Sequence, residues 1–128
     1  MALVSEADLR KIIVEGDNAT LVAQAERVGT ELARQLTTSQ IRGIFGSVRR
    51  IELDWRSPER RAAAQREFAL LQPRLAYQAK KERGRGVEEL RDVLTPAMRM
   101  VGADEGRFRN FVDFFEAILA YHKAAGGQ

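Results

Sequence analysis

The chain has 128 residues, 45% of them apolar and 30% charged, which suits one domain with a real core and leaves no room for two lobes around a cleft. It has no cysteine, which excludes disulfides, thiolate nucleophiles and Cys-ligated zinc, and its formal charge is +3. That charge is unevenly placed: residues 37–86 carry 12 basic and 5 acidic side chains, whereas the segments on either side are each slightly acidic. A local excess of this kind attracts polyanions even when the whole molecule is nearly neutral.

Helical punctuation recurs along the chain and alternating strand patterns are absent, so the expected fold class is all-α. Ser5 is placed to cap a short first helix ending at Gly16. Asp17 or Asn18 caps a second, Ala19 to Leu36, whose Leu21, Ala25, Val28, Leu32 and Leu36 form a buried stripe. Thr37 and Gln40 read as a capping box opening a third helix to about Trp55. Ser57-Pro58 should start a fourth that runs to Leu71, with Pro73 restarting or kinking it and Gly84 and Gly86 ending it. Val87 to Val101 should be helical with Pro96 bending or breaking it. Asp104 should cap a last helix, about residues 104–124, rich in aromatics and central to the core, with "AAGGQ" frayed behind it. The expectation is a single helical domain over residues 1–128, with a basic middle at 37–86 suited to a polyanion.

No catalytic constellation can be assembled. The one histidine, His122, has no metal-ligand neighbour and reads as complementing the negative end of its own helix. Asp113 and Glu116 share a helix face and suit either a cation or plain solvation, the latter being far commoner. "GRG" at 84–86 lacks the Lys-Ser/Thr tail of a phosphate loop. Neither catalysis nor a cofactor is expected. The acidic N-terminus and the lack of a membrane-length apolar run point to a cytoplasmic protein with no membrane partner.

On a helical wheel the third helix places Ile41, Ile44, Phe45, Val48, Ile51 and Trp55 within an arc of ~120°, with Arg42, Arg49 and Arg56 beside them and Arg50 pointing outward. The arginine spacing of two turns, roughly 10 Å, is comparable to that of phosphates along a strand. The same arginines equally suit covering the core edge or pairing with Glu52 and Asp54. "SQIRGIFGSVRR" has the outline of a helix-turn-helix, but the apolar period passes through Gly46 in phase, which favours one continuous helix. Downstream, Arg74, Tyr77 and Lys81 share a face, and Lys80, Arg83 and Arg85 carry the positive charge into the glycine turn. They form either a phosphate-binding surface or a basic helix end complementing its dipole, with Tyr77 half-buried.

Three blocks carry a resemblance: "LTTSQIR" (Leu36–Arg42), "LQPRLAYQAKKERGRG" (Leu71–Gly86) and "FVDFFEAILAYHKAAGG" (Phe111–Gly127). In this order and spacing the chain resembles the small subunit of type III-A CRISPR effector complexes, the Csm complexes. The resemblance implies a compact bundle of about five helices, copies of which line the inner filament of an antiviral ribonucleoprotein beside the crRNA and its paired target RNA. It implies no catalysis in this subunit, partners in the backbone and large subunits, and RNA contacts at Arg42, Arg49 or Arg50, Arg74, Lys80, Lys81 and Arg83. Guide pairing would then supply specificity, leaving this subunit to bind backbone and duplex shape. The alternative is a helical adaptor that touches only proteins.

Overall fold

The computed structural model describes residues 3–82 and 84–128, which form six helices: α1 (Glu6–Ile13), α2 (Asn18–Leu32), α3 (Thr38–Arg56), α4 (Arg61–Lys81), α5 (Gly86–Val101) and α6 (Glu105–Ala124). No strand occurs among the described residues. The all-α expectation stands, with six helices in place of about five.

The helix starts follow from side-chain capping. Ser5, Asp17, Thr37 and Asp104 each accept a hydrogen bond from a backbone N–H three residues on, and at α3 Gln40 returns the bond to the Thr37 N–H to complete the capping box. α4 starts differently from expectation. Ser57 ends α3, with its N–H bonded to the Asp54 carbonyl, and Pro58 to Arg60 form a reverse turn before Arg61 opens the helix. The turn folds α4 back along α3, so Pro58 serves the connection and not the first helical turn.

Neither internal proline breaks its helix. α4 runs through Pro73 and α5 through Pro96. Pro73 lies on the exposed side of α4, as does Ala69, whose carbonyl has lost its partner and can turn to water, while Leu71 and Leu75 anchor both halves in the core. α2, in contrast, stops four residues early, at Leu32. Residues 33–36 turn so that Leu36 enters the core.

α6 packs against α1, α2, α3 and α5. Its Phe108, Phe111, Phe114, Phe115 and Ile118 are buried. An aromatic chain fixes α3 and α4 against it. Trp55 stacks on Phe108 at 4.1 Å, Phe68 meets Phe108 and Phe111 edge-on, and Phe45 meets Phe115 at 5.1 Å. The face of α3 opposite these rings is thereby held toward solvent.

Two expectations about the C-terminus are corrected. "AAGGQ" is not frayed: Gly127 is buried, donates its N–H to the His122 carbonyl and accepts from the Thr38 hydroxyl. His122 does not complement its own helix end. It is fully buried, and its Nε2 lies 2.6 Å from the carbonyl oxygen of Leu36, in the turn between α2 and α3. Gly86 closes the same end of the molecule, because a Cβ there would collide with the Gln35 carbonyl.

Candidate nucleic-acid interface

α3 lies between α4 and α6, so its basic side chains border two different grooves. Toward α4, Arg50 and Arg74 line a common cleft of about 220 Å³ with Ser47, Asp54 and Glu67. Toward α6, Arg42 borders a wider groove of about 480 Å³ together with Lys123, Glu116 and Leu119. Arg49 and Arg56 flank the same α3/α6 edge further along the helix.

Every described candidate cation is exposed: Arg42, Arg49, Arg50 and Arg56 on α3, Arg74, Lys80 and Lys81 on α4, and Arg85 at the start of α5. Arg83, expected among the RNA contacts, lies outside the described residues. The cations differ in what they touch. Arg49 donates to Glu52 at 2.8 Å, reaches Glu116 of α6 at 3.6 Å and sits 5.5 Å from the Phe45 ring centre. Arg56 also reaches Glu52, at 3.4 Å. Arg74 pairs with Glu67 at 3.1 Å and Arg85 with Glu88 at 3.6 Å. Arg42, Arg50, Lys80 and Lys81 have no carboxylate partner among the described residues. Exposed pairs of this kind contribute about 0–1 kcal/mol, so a phosphate can compete for the paired arginines, but the four unpaired cations need release no partner first.

The α3 arginines therefore do not form the bare stripe drawn on the helical wheel. Glu52, one turn from both Arg49 and Arg56, ties two of them together, as the sequence alternative allowed. Asp54 pairs instead with Arg60. On α4, Arg74, Tyr77 and Lys81 do share an exposed face. Tyr77 is 69% exposed, which overturns the half-buried alternative and leaves its ring free for stacking. Along α4, Lys81 is two turns from Arg74, about 10 Å.

Two participants escape a reading of the middle segment alone. Lys123 joins Arg42 at one groove although it belongs to the net-acidic C-terminal segment, and only the fold brings them together. Leu53 is 66% exposed on the outward side of α3 between the arginines. Its position on the wheel, off the apolar arc, was the available signal. Among the described residues, no group of three His, Asp or Glu side chains converges as a metal site. None of the described helices is long and apolar enough to cross a membrane.

The family model for Csm2 Type III-A matches residues 15–128. The chain belongs to that family. This makes it a small subunit of the type III-A CRISPR-Cas effector complex, from a non-catalytic small-subunit family that associates with the other Csm subunits. The matched span holds α2 to α6, and α1 precedes it. All the candidate cations and all three sequence blocks fall inside it. Neither curated proteins nor solved structures yield a match to the chain.

Proposed function

We propose that this Csm2-family subunit binds the sugar-phosphate backbone of crRNA and its paired target, independent of sequence, in antiviral defence in the cytoplasm. Arg42, Arg49, Arg50 and Arg56 of α3, and Arg74, Tyr77, Lys80, Lys81, Arg83 and Arg85 of the α4–α5 segment, make the contacts. Copies of the subunit repeat along the RNA beside the backbone subunit and near the large subunit. The observation that carries this reading is that four of the candidate cations on α3 and α4, Arg42, Arg50, Lys80 and Lys81, are exposed with no carboxylate partner among the described residues. Arginine and lysine so placed give affinity without base readout, which suits a subunit whose specificity comes from guide pairing.

A second reading, a protein-only adaptor, draws support from the α6 side, where Glu52 and Glu116 engage Arg49 and leave a surface of mixed charge. Crosslinking the assembled complex with target RNA bound, followed by mass spectrometry, separates the two. RNA adducts at Arg50, Tyr77, Lys80 or Lys81 are expected. Crosslinks from residues 42–85 to protein alone would replace the RNA reading with the adaptor.

A further inference from the structure

The two sides of α3 offer their cations differently. On the α4 side, Arg50 donates to the Ser47 hydroxyl at 3.5 Å and reaches no carboxylate among the described residues. On the α6 side, Glu52 gives one carboxylate oxygen to Arg49, at 2.8 Å, and the other to Arg56, at 3.4 Å. Glu116 of α6 then takes the second terminal nitrogen of Arg49, at 3.6 Å. Arg49 thus has both terminal nitrogens against carboxylates from two different helices, with its guanidinium carbon over the Phe45 ring.

Glu52 is also the least exposed carboxylate in any ion pair among the described residues, with 15% of its side chain open to solvent against 34% to 53% for the others. A charge pair drawn partly out of water is screened less than one in bulk solvent. A guanidinium grips a phosphate best through two adjacent N–H donors at once. With both terminal nitrogens of Arg49 engaged, such a grip forms only when a carboxylate is displaced. Asp113 of α6 lines the same cleft as Glu52 and Arg56, adding a third carboxylate to this edge. An arriving phosphate therefore has to compete for either arginine, whereas Arg50 on the other side is open to it.

We propose that Glu52 attenuates RNA binding: with Glu116 it withholds Arg49 and Arg56 from phosphate, so the subunit grips the backbone more weakly than its full set of cations allows. Arg49 and Arg56 reach RNA only by exchanging these partners, and the α4 side of α3 makes the standing contacts. The inference rests on the RNA reading above and ranks the contacts within it. A carboxylate between two arginines can instead orient them for phosphate, and its removal then weakens binding. The geometry points away from that role, because an orienting carboxylate leaves one edge of the guanidinium free and Arg49 has both terminal nitrogens taken.

The test measures binding of a labelled RNA duplex to the full-length wild type, Glu52→Gln, Glu116→Gln and Glu26→Gln across a salt series, with thermal melts to check folding. Glu26 is exposed on α2 and has no ion pair among the described residues, so its variant makes the same change of net charge on a different helix. Glu52→Gln should bind several-fold more tightly at low salt, with a logarithmic salt slope steeper by about 1–2 as two more phosphates are engaged. Glu116→Gln frees Arg49 on one side only and should gain less, and Glu26→Gln should stay near wild type. Adding Arg49→Ala and Arg56→Ala to Glu52→Gln should erase its gain, which a merely structural effect of Glu52 would not do. The inference is overturned if Glu52→Gln binds no more tightly than wild type, if Glu26→Gln gains as much, or if the gain survives loss of both arginines. A wild type that binds no RNA overturns the RNA reading and this inference together, while a wild type that binds and a Glu52→Gln that merely matches it removes this inference alone.

Discussion

The imidazole Nε2 of His122 lies 2.6 Å from the main-chain carbonyl of Leu36, joining the end of α6 to the corner between α2 and α3. Around this bond the chain terminus folds inward: Gly127 packs against the ring and accepts a hydrogen bond from Thr38, the first residue of α3. The position of the basic helix thus depends on a buried histidine. His122→Ala should cost about 2–4 kcal/mol, combining a buried cavity with an orphaned carbonyl. Urea denaturation measures this, and a loss below about 0.5 kcal/mol would show that the corner is held by other contacts.

Gly127→Ala should weaken the same corner, because the added methyl would press on the imidazole. Gly29→Ala should loosen the α2–α6 contact, where a Cβ would come within 2.7 Å of the Ile118 carbonyl. Gly43→Ala and Gly46→Ala should do the opposite. Both positions are inside α3 with nothing within 4 Å of the new atom, so each should gain up to about 1 kcal/mol of helix propensity. Thermal melts of the four variants should therefore split into two lowered and two raised midpoints.

The two shifted carboxyls should act in opposite senses with pH. Asp17 caps α2, and the Thr20 N–H holds its carboxyl below the usual value of 3.8, so it stabilises the fold above that pH and loses the effect as pH falls through its lower folded value. Asp17→Ala should lower the melting temperature at neutral pH, and the deficit should shrink in acid. Asp113 is raised, first by burial and then by Glu116 and Glu52, so its ionised form opposes folding once pH exceeds its folded value. Asp113→Asn should raise the neutral-pH midpoint, with the difference fading as pH falls below that value. Matching pH trends for the two variants would refute the assignment.

The parts of this fold that were legible in the sequence are those governed by local chemistry. Ser5, Asp17, Thr37 and Asp104 announced their helices because an N-cap needs only its own side chain and the next turn. The apolar arc of α3 was readable for a similar reason, since all six of its residues are buried. What could not be read depends on distant partners. The turn after α2 carries Leu36 into the core, where its carbonyl meets a residue 86 positions away, and Pro73 is tolerated because of where α4 meets solvent. For the candidate interface, the identity of the exposed cations was visible, but their division into paired and unpaired sets was only half so. Glu52 lies one turn from Arg49 and Arg56 in sequence, whereas Glu116 and Lys123 reach the α3 edge only through packing.

The four carboxylate-free cations carry the central claim. Arg42, Arg50, Lys80 and Lys81 should each be replaced by alanine in one chain, a change that leaves the buried core untouched. Helical circular dichroism and the melting temperature should stay close to wild type.

The decisive measurement is fluorescence anisotropy of the wild-type and quadruple-alanine proteins with a labelled crRNA–target duplex, repeated across a series of salt concentrations. For the wild type, affinity should fall steeply as salt rises and be the same for unrelated sequences; in the variant, binding should be largely lost and the logarithmic salt slope should shrink by roughly three to four. An unchanged affinity and slope in a folded variant would contradict an RNA-binding role for this face of α3 and α4.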